Sequence, residues 1–217
     1  GTAPLGFFDL AYKLLLFPIR SINEPLGKVI IPILSKMQDD DERVRRVYLR
    51  TLGLLLLFLV PGMTAAVIAV DPVVRILLGE QWLPIVPIFT WLGIASLIQV
   101  MGNSTGWLFI SLGKTNVMFK WGVYSAATAI ISFIIGIQYG VVGVAIAYTI
   151  NCYIFNFPPL YILMGRVTPV KTSDFMFLQI PLLISAVLSW AIIHFIAVGM
   201  MNLDNFLLIF VTLVVSY

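Results

Sequence analysis

The chain has 217 residues, of which 60% are hydrophobic and 11% are charged, and its mean hydropathy is +1.03. A soluble domain is about half apolar and about a quarter charged, so this composition excludes an ordinary soluble domain and predicts a bundle of transmembrane helices. The net charge is +3 and the pI is near 9.1, so nucleic-acid binding has to be judged from where the basic residues lie.

The opening segment, about residues 9–35, is apolar enough for a membrane and yet contains three prolines. Pro18, Pro25 and Pro32 follow one another at intervals of seven residues. Each proline removes a helical hydrogen bond, and bent or broken helices at membrane depth are tolerated where they line a cavity. We therefore predict that this segment lines a transport cavity and that Pro18 and Pro25 permit a gating bend.

The same segment carries four charged residues on one helical face: Lys13, Arg20, Glu24 and Lys28. At about 100° per residue they fall within about 80° of arc. A charge at the bilayer centre costs about 2.5–3.5 kcal/mol on insertion scales, so the stripe needs water or protein partners. Glu24 can pair with Lys28 or Arg20, which leaves the stripe net positive and suited to an anion such as phosphate.

Two structural alternatives stand beside this interpretation. Lys13 and Lys28 lie towards opposite ends of the segment and can extend their ammonium groups to the two membrane surfaces. Arg20 and Glu24, near its middle, can instead form an ion pair that holds two helices together.

The remaining apolar stretches predict the other spans, since about 20 apolar residues cross a bilayer. They are residues 52–70, residues 83–113, two spans within 121–165 separated by the turn QYG at 138–140, residues 175–203, and the start of one more at 205–217.

The loops between these spans alternate in charge. Nine of the thirteen Lys and Arg residues lie in the first, third and fifth loops, and the second loop has only Arg75. The nine are Lys36, Arg43, Arg45, Arg46, Arg50, Lys114, Lys120, Arg166 and Lys171. Cytoplasmic loops collect Lys and Arg, so the odd loops are predicted to be cytoplasmic. Membrane orientation accounts for this basic charge, and no nucleic-acid partner is expected.

A second polar stripe occurs in the span 83–113, where Ser96, Gln99, Asn103 and Gly106 share one face. The amides of Gln99 and Asn103 can bind sugar hydroxyls, or they can join helices by hydrogen bonds. The sequence contains no nucleophile motif, phosphate-binding glycine loop, carboxylate pair or metal-ligand cluster. We therefore expect no catalytic residue, no metal and no cofactor, and a protein that is not an enzyme.

Three segments carry a resemblance to a known family: LGFFDLAYKLLLFPIRSINEPLGKVIIPILSKMQDD, DPVVRILLGEQWLP and GNSTGWLFISLGKTN. Their order and spacing resemble the second half of bacterial polysaccharide flippases, which belong to the multidrug/oligosaccharidyl-lipid/polysaccharide exporter superfamily. The resemblance covers about residues 1–165 and is strongest to the lipopolysaccharide and exopolysaccharide branch.

The resemblance implies an all-α fold of two six-helix lobes around a central cavity. Residues 1–165 would be the C-terminal lobe, with about five transmembrane helices and without the first helix of that lobe. Residues 166–217 would be additional C-terminal helices, the last one truncated. The protein would be a multi-pass protein of the inner (cytoplasmic) membrane.

The resemblance also implies the function, which is the flipping of polyprenyl-diphosphate-linked oligosaccharide repeat units across that membrane. Its partners would be this substrate, membrane lipids, a polysaccharide polymerase and glycosyltransferases. We expect Lys13, Arg20, Lys28, Gln99 and Asn103 to bind substrate, and Glu24 to couple and gate. Two alternatives are a cation-exporting multidrug antiporter of the same superfamily and a membrane component of polysaccharide assembly that does not transport.

Overall fold

The computed structural model describes residues 2–180 and four later positions, 184, 187, 188 and 191, and the regular structure of this part of the chain is helical. The predicted spans 175–203 and 205–217 lie largely or wholly outside the described residues. The helices are α1 (Thr2–Lys36), α2 (Asp41–Ile68), α3 (Val70–Leu77), α4 (Ile85–Ser111), α5 (Thr115–Ile137), α6 (Gly140–Ile150) and α7 (Phe157–Val167). A π-helical turn, Asn151–Asn156, joins α6 to α7.

Four helices of the described part are long and apolar enough to cross a membrane: α2, α4, α5 and the continuous segment Gly140–Val167. The predicted split of residues 121–165 is confirmed, because α5 ends at Ile137 and α6 begins at Gly140. Gly140 has a φ of 77°, a left-handed conformation that glycine adopts without steric cost. The turn at QYG therefore reverses the chain between two antiparallel spans.

The first helix runs without interruption from Thr2 to Lys36, through all three prolines. A break at these prolines, one of the two outcomes that the sequence predicts, does not occur. Each proline removes a single hydrogen bond, and the seven-residue spacing leaves intact turns on either side. The helix has 35 residues and is therefore about 52 Å long. This length exceeds the hydrocarbon core of a bilayer, which is about 30 Å thick.

Helix α4 lies at the centre of the bundle and packs against α1, α2 and α6. Its sequence is apolar on nearly every side, which is typical of a helix surrounded by other helices. The side of α1 that faces it presents Ala11, Leu15 and Ile19, which are buried and four residues apart. This spacing places them on one helical face. The first helix is thereby fixed against the centre of the lobe.

The three basic loops meet at one end of this bundle. The guanidinium of Arg45 donates to both carboxylate oxygens of Asp174, at 2.7 and 2.6 Å. The ammonium of Lys114 donates to the carbonyl of Val167. The first, third and fifth loops are thus joined at the end that the sequence predicts to be cytoplasmic.

The pair Arg45–Asp174 predicts a pH-dependent stability. The hydrogen bond from Arg45 lowers the pKa of Asp174 below its ordinary value, which is about 3.9. A lowered folded-state pKa stabilises the protein above that ordinary value, and the stabilisation is lost as the pH falls through the folded-state pKa. We expect Arg45→Ala to lower the thermal unfolding midpoint at pH 7, because the nearly buried carboxylate loses its partner.

This prediction is checked by thermal unfolding of the purified full-length protein from pH 7 to pH 3. The difference in midpoint between wild type and Arg45→Ala should shrink as the pH falls below about 4. Arg43→Ala is the control, since the Arg43 side chain is exposed. Equal midpoints for wild type and Arg45→Ala at pH 7 would contradict the prediction.

Candidate functional site

A cavity of about 490 Å³ lies between α1, α4, α5 and the segment from α6 to α7. Ligand pockets usually have about 300–1,000 Å³. On α4 and α5 the cavity occupies the half of each helix that is nearer to the basic loops. Its polar lining includes Asn23, Glu24, Gln99, Asn103, Ser125 and Asn156. Four side-chain amides from three parts of the bundle thus face one space.

Three of the residues predicted from the sequence meet in this cavity: Glu24 from α1, and Gln99 and Asn103 from α4. Each of the two predicted polar stripes therefore contributes residues to one cavity. Gly102 and Gly106 also line it, and Ser96 does not. The Ser96 hydroxyl instead donates to the carbonyl of Gly93 in its own helix.

Other predicted residues lie elsewhere. Lys13 forms an ion pair with Asp9 at 2.6 Å, both side chains are exposed, and neither lines the cavity. Lys28 and Pro25 are exposed and also lie outside the lining. The side chains of Arg20 and Pro18 lie outside the described residues.

The predicted pairing of Glu24 with Lys28 does not form, and among the described side chains neither residue has an ion-pair partner. The sequence analysis overlooked a nearer acid for Lys13, Asp9, which lies one turn earlier on the same helix. In that pair the acid precedes the lysine by four residues, the favourable order for a helical ion pair.

Gln99 joins two helices and also lies in the wall of the cavity. Its side-chain NH₂ donates to the hydroxyl of Tyr148 at 3.3 Å and lies 3.9 Å from the sulfur of Cys152. It therefore joins α4 to the segment α6–α7 while it also lines the cavity. Asn103 is exposed and lines the cavity, and its side chain forms no hydrogen bond with any described residue. Asn103 is thus free to bind a ligand.

Three lining residues from other elements, Trp121, Ser125 and Cys152, were not predicted from the sequence to line a cavity. Asn156 donates from its NH₂ group to the hydroxyl of Ser125 at 2.7 Å, and Trp121 lines the cavity from α5. The π-helical turn directs Cys152 and Asn156 into the cavity, and such turns are frequent at functional sites. The one signal in the sequence was Asn156 itself, a polar residue in a long apolar run.

Asn23 is a fourth lining residue that the sequence analysis did not single out. Its side-chain oxygen is buried and has no hydrogen-bond partner among the described residues. An unpaired buried acceptor is costly, so a bound ligand that donates a hydrogen bond would remove this cost. Its position beside Glu24, in the segment already predicted to line a cavity, was the available signal.

An aromatic cluster closes the end of the cavity that is farther from the basic loops. Tyr12 and Tyr148 line the cavity and their ring centroids are 6.4 Å apart. Phe133 packs against Tyr148 at 5.6 Å, and Phe8 stacks on Tyr12 at 6.2 Å. Ring pairs at such separations add about 0.5–1.5 kcal/mol each beyond burial. The cluster ties α1, α5 and α6 together at this end.

Comparisons with known proteins match this chain to proteins of polysaccharide biosynthesis. A family model described as "Polysaccharide biosynthesis protein" matches residues 1–87. The lipopolysaccharide biosynthesis protein WzxC of Escherichia coli K12 is 26% identical over 149 residues, which are 68% of this chain and 30% of that protein. The teichuronic acid biosynthesis protein TuaB of Bacillus subtilis 168 is 29% identical over 121 residues, 56% of this chain and 25% of that protein.

A solved structure has the same fold. The lipid II flippase MurJ, in an inward closed conformation, superposes with a TM-score of 0.68 at 18% identity, covering 98% of this chain and 46% of that one. The chain spans about a quarter to a third of the length of the curated relatives it matches. These matches bear out the resemblance predicted from the sequence, to polysaccharide flippases of the multidrug/oligosaccharidyl-lipid/polysaccharide exporter superfamily, and the chain is a multi-pass protein of the cytoplasmic membrane.

Proposed function

We propose that the full-length protein carrying this chain flips polyprenyl-diphosphate-linked oligosaccharide repeat units from the cytoplasmic to the outer leaflet of the membrane. The observation that carries the proposal is the amide-lined cavity, which brings Glu24, Gln99 and Asn103 together within a flippase-like fold. The names of the relatives, in lipopolysaccharide and teichuronic acid biosynthesis, support a glycan substrate. The chain transports rather than catalyses in this proposal.

Within this proposal the substrate is divided between two parts of the cavity. Gln99 and Asn103 bind sugar hydroxyls through their amides, which both donate and accept hydrogen bonds. The diphosphate binds Arg20, whose backbone lies in α1 one turn before Glu24, because guanidinium groups hold phosphate bidentately. Lys13 and Lys28, outside the cavity in this conformation, contact the substrate only as it moves along α1.

The transport cycle follows from the same residues. The substrate enters between this lobe and its counterpart, and Glu24 alternates between pairing with the neighbouring cations and releasing them to the diphosphate. Bending of α1 at Pro18 and Pro25 accompanies the rocking of the lobes. In this proposal glycosyltransferases supply the lipid-linked units before flipping, and a polymerase consumes them afterwards.

Residues 1–165 form the transport lobe in this proposal, and residues 166–217 are additional helices attached to it. Two contacts within the described residues support the attachment. Asp174 binds Arg45 of α2, and the ring of Phe175 stacks on Tyr161 of α7, with centroids 4.7 Å apart. The additional helices are therefore expected to move together with the lobe.

A second candidate function, export of cations by an antiporter of the same superfamily, is favoured by one observation. Glu24 is the only charged residue among the described side chains that line the cavity. A carboxylate in a water-filled cavity attracts cations. The flippase proposal stands first because the amides outnumber this single charge and match a hydroxyl-rich ligand.

The test is reconstitution of the purified full-length protein into liposomes with a fluorescent polyprenyl-diphosphate-linked oligosaccharide. The proposal expects the labelled glycan to become accessible to a membrane-impermeant quencher on the opposite leaflet much faster than in protein-free liposomes. Transport of a cationic dye without movement of the glycan would instead support the antiporter.

A further inference from the structure

The cavity combines an aromatic ring with neutral hydrogen-bonding groups and one carboxylate. Trp121 is half-buried and lines the cavity, and the ring of Tyr124 packs behind it with centroids 5.1 Å apart. The ring face of an indole is electronegative, so it attracts the weakly positive C–H groups on the face of a sugar ring. The neighbouring Ser125 hydroxyl and Asn156 amide, hydrogen-bonded to each other, lie on the same wall.

The polar groups around Trp121 have unused hydrogen-bonding capacity. The buried oxygen of Asn23 has no partner, and the side chains of Asn103 and Glu24 make no hydrogen bond or ion pair to any described residue. Sugar hydroxyls both donate and accept, so they can satisfy the acceptors on Asn23 and Glu24 and both groups of the Asn103 amide. These residues come from α1 and α4, whereas Trp121 comes from α5.

The charge of this lining selects among sugars. Glu24 is the one charged group among the described lining residues. It accepts hydrogen bonds from hydroxyls, but it repels a second carboxylate in the same pocket, and such like-charge contacts are a strong means of rejecting a wrong partner. A sugar with a carboxylate at this position would therefore be disfavoured, and a neutral or amino sugar would be accepted.

We propose that this cavity is a sugar-ring site in which Trp121 stacks on one face of the ring and Glu24 rejects acidic sugars. The inference rests on the proposed flippase function and goes beyond it by assigning a sugar class to one position of the glycan. Trp121 is a ring-binding residue and Glu24 is a specificity-determining residue. The diphosphate, proposed to bind Arg20 one turn earlier on α1, is common to both classes of glycan, so a difference between them reports on the sugar alone.

The test uses the full-length protein in liposomes with two probes, polyprenyl-diphosphate galactose and polyprenyl-diphosphate galacturonic acid, which differ only at C6. We expect the wild type to flip the neutral probe at least about ten-fold faster, equivalent to about 1.4 kcal/mol. Glu24→Gln should bring the two rates to within about three-fold. The control is Glu42→Gln, the same substitution at an exposed residue of α2 outside the cavity, which should keep the wild-type ratio.

A second variant tests the stacking residue. Trp121→Ala should lower the flipping rates of both probes by the same factor, about ten-fold or more. The reason is that stacking on the indole involves the C–H groups of the sugar ring and does not depend on the charge at C6. Trp121→Phe should retain most of the rate. Phe119→Ala is the control, since Phe119 lies on the same helix, is exposed and does not line this cavity.

Failure of this inference is distinguishable from failure of the proposed function. Equal wild-type rates for the two probes, or a ratio that Glu24→Gln leaves unchanged, would overturn the sugar selectivity while flipping stands. If the wild type moves neither probe, the flippase proposal is contradicted and the inference falls with it.

Discussion

Replacing Gly136 with alanine is expected to separate α5 from α6 and to destabilise the lobe. A Cβ atom at this position would lie 2.6 Å from the Cα of Val144 and 2.8 Å from the carbonyl oxygen of Gly143. Both are backbone atoms of α6, so no side-chain rotation can relieve the contact. Overpacking of this kind costs about 1–3 kcal/mol and occasionally more, which exceeds the gain in helix propensity of up to about 1 kcal/mol.

The measurement is the thermal unfolding midpoint of the purified full-length protein. Gly122→Ala is the matched control, because Gly122 lies in the same helix and a Cβ there meets nothing within 4 Å. The midpoint should fall for Gly136→Ala and stay the same or rise for Gly122→Ala. Equal midpoints for the two variants would show that the close approach of α5 and α6 does not hold the lobe together.

Replacing Arg20 with alanine is expected to reduce flipping to the protein-free background. In the proposed mechanism this residue binds the diphosphate, and a charge-assisted bidentate contact cannot be replaced by water at the same site. Arg20→Lys should retain part of the activity, since lysine keeps the charge but loses the bidentate geometry. The rate is measured in liposomes with the fluorescent lipid-linked glycan.

Arg50→Ala is the control for this variant, because Arg50 is exposed in α2 and lies outside the cavity. It should flip at the wild-type rate. The amounts of each variant inserted in the membrane are compared, so that a loss of activity is separated from a loss of protein. If Arg20→Ala is inserted normally and flips at the wild-type rate, the proposal that Arg20 binds the diphosphate is contradicted.

The span pattern could be predicted from the sequence because hydropathy and turn chemistry act locally. The reversal at QYG and the central apolar helix α4 both follow from short stretches of residues. The start of α2 at Asp41 was not predicted, since the apolar stretch begins only at residue 52. Asp40 caps this helix by accepting a hydrogen bond from the backbone N–H of Arg43 at 3.0 Å, so polar residues extend it beyond the membrane.

The candidate site could be predicted only as far as single helices allow. Periodicity placed Glu24 on one stripe and Gln99 and Asn103 on another, and the structure joins the two stripes at one cavity. The contribution of Trp121 depends on how α5 packs beside α4, which a single sequence does not reveal. Lys13 shares the helical face of Glu24, yet it pairs with Asp9 and does not line the cavity in this conformation, so its contact with substrate stays a prediction.

Deletion of the intact gene, followed by localisation of lipid-linked repeat units, tests the central claim most directly. The account predicts that these units accumulate on the cytoplasmic leaflet and that wild type restores their export. Unchanged distribution of the units, with altered tolerance to cationic drugs, would contradict the flippase account and favour an exporter in which Glu24 binds the cation.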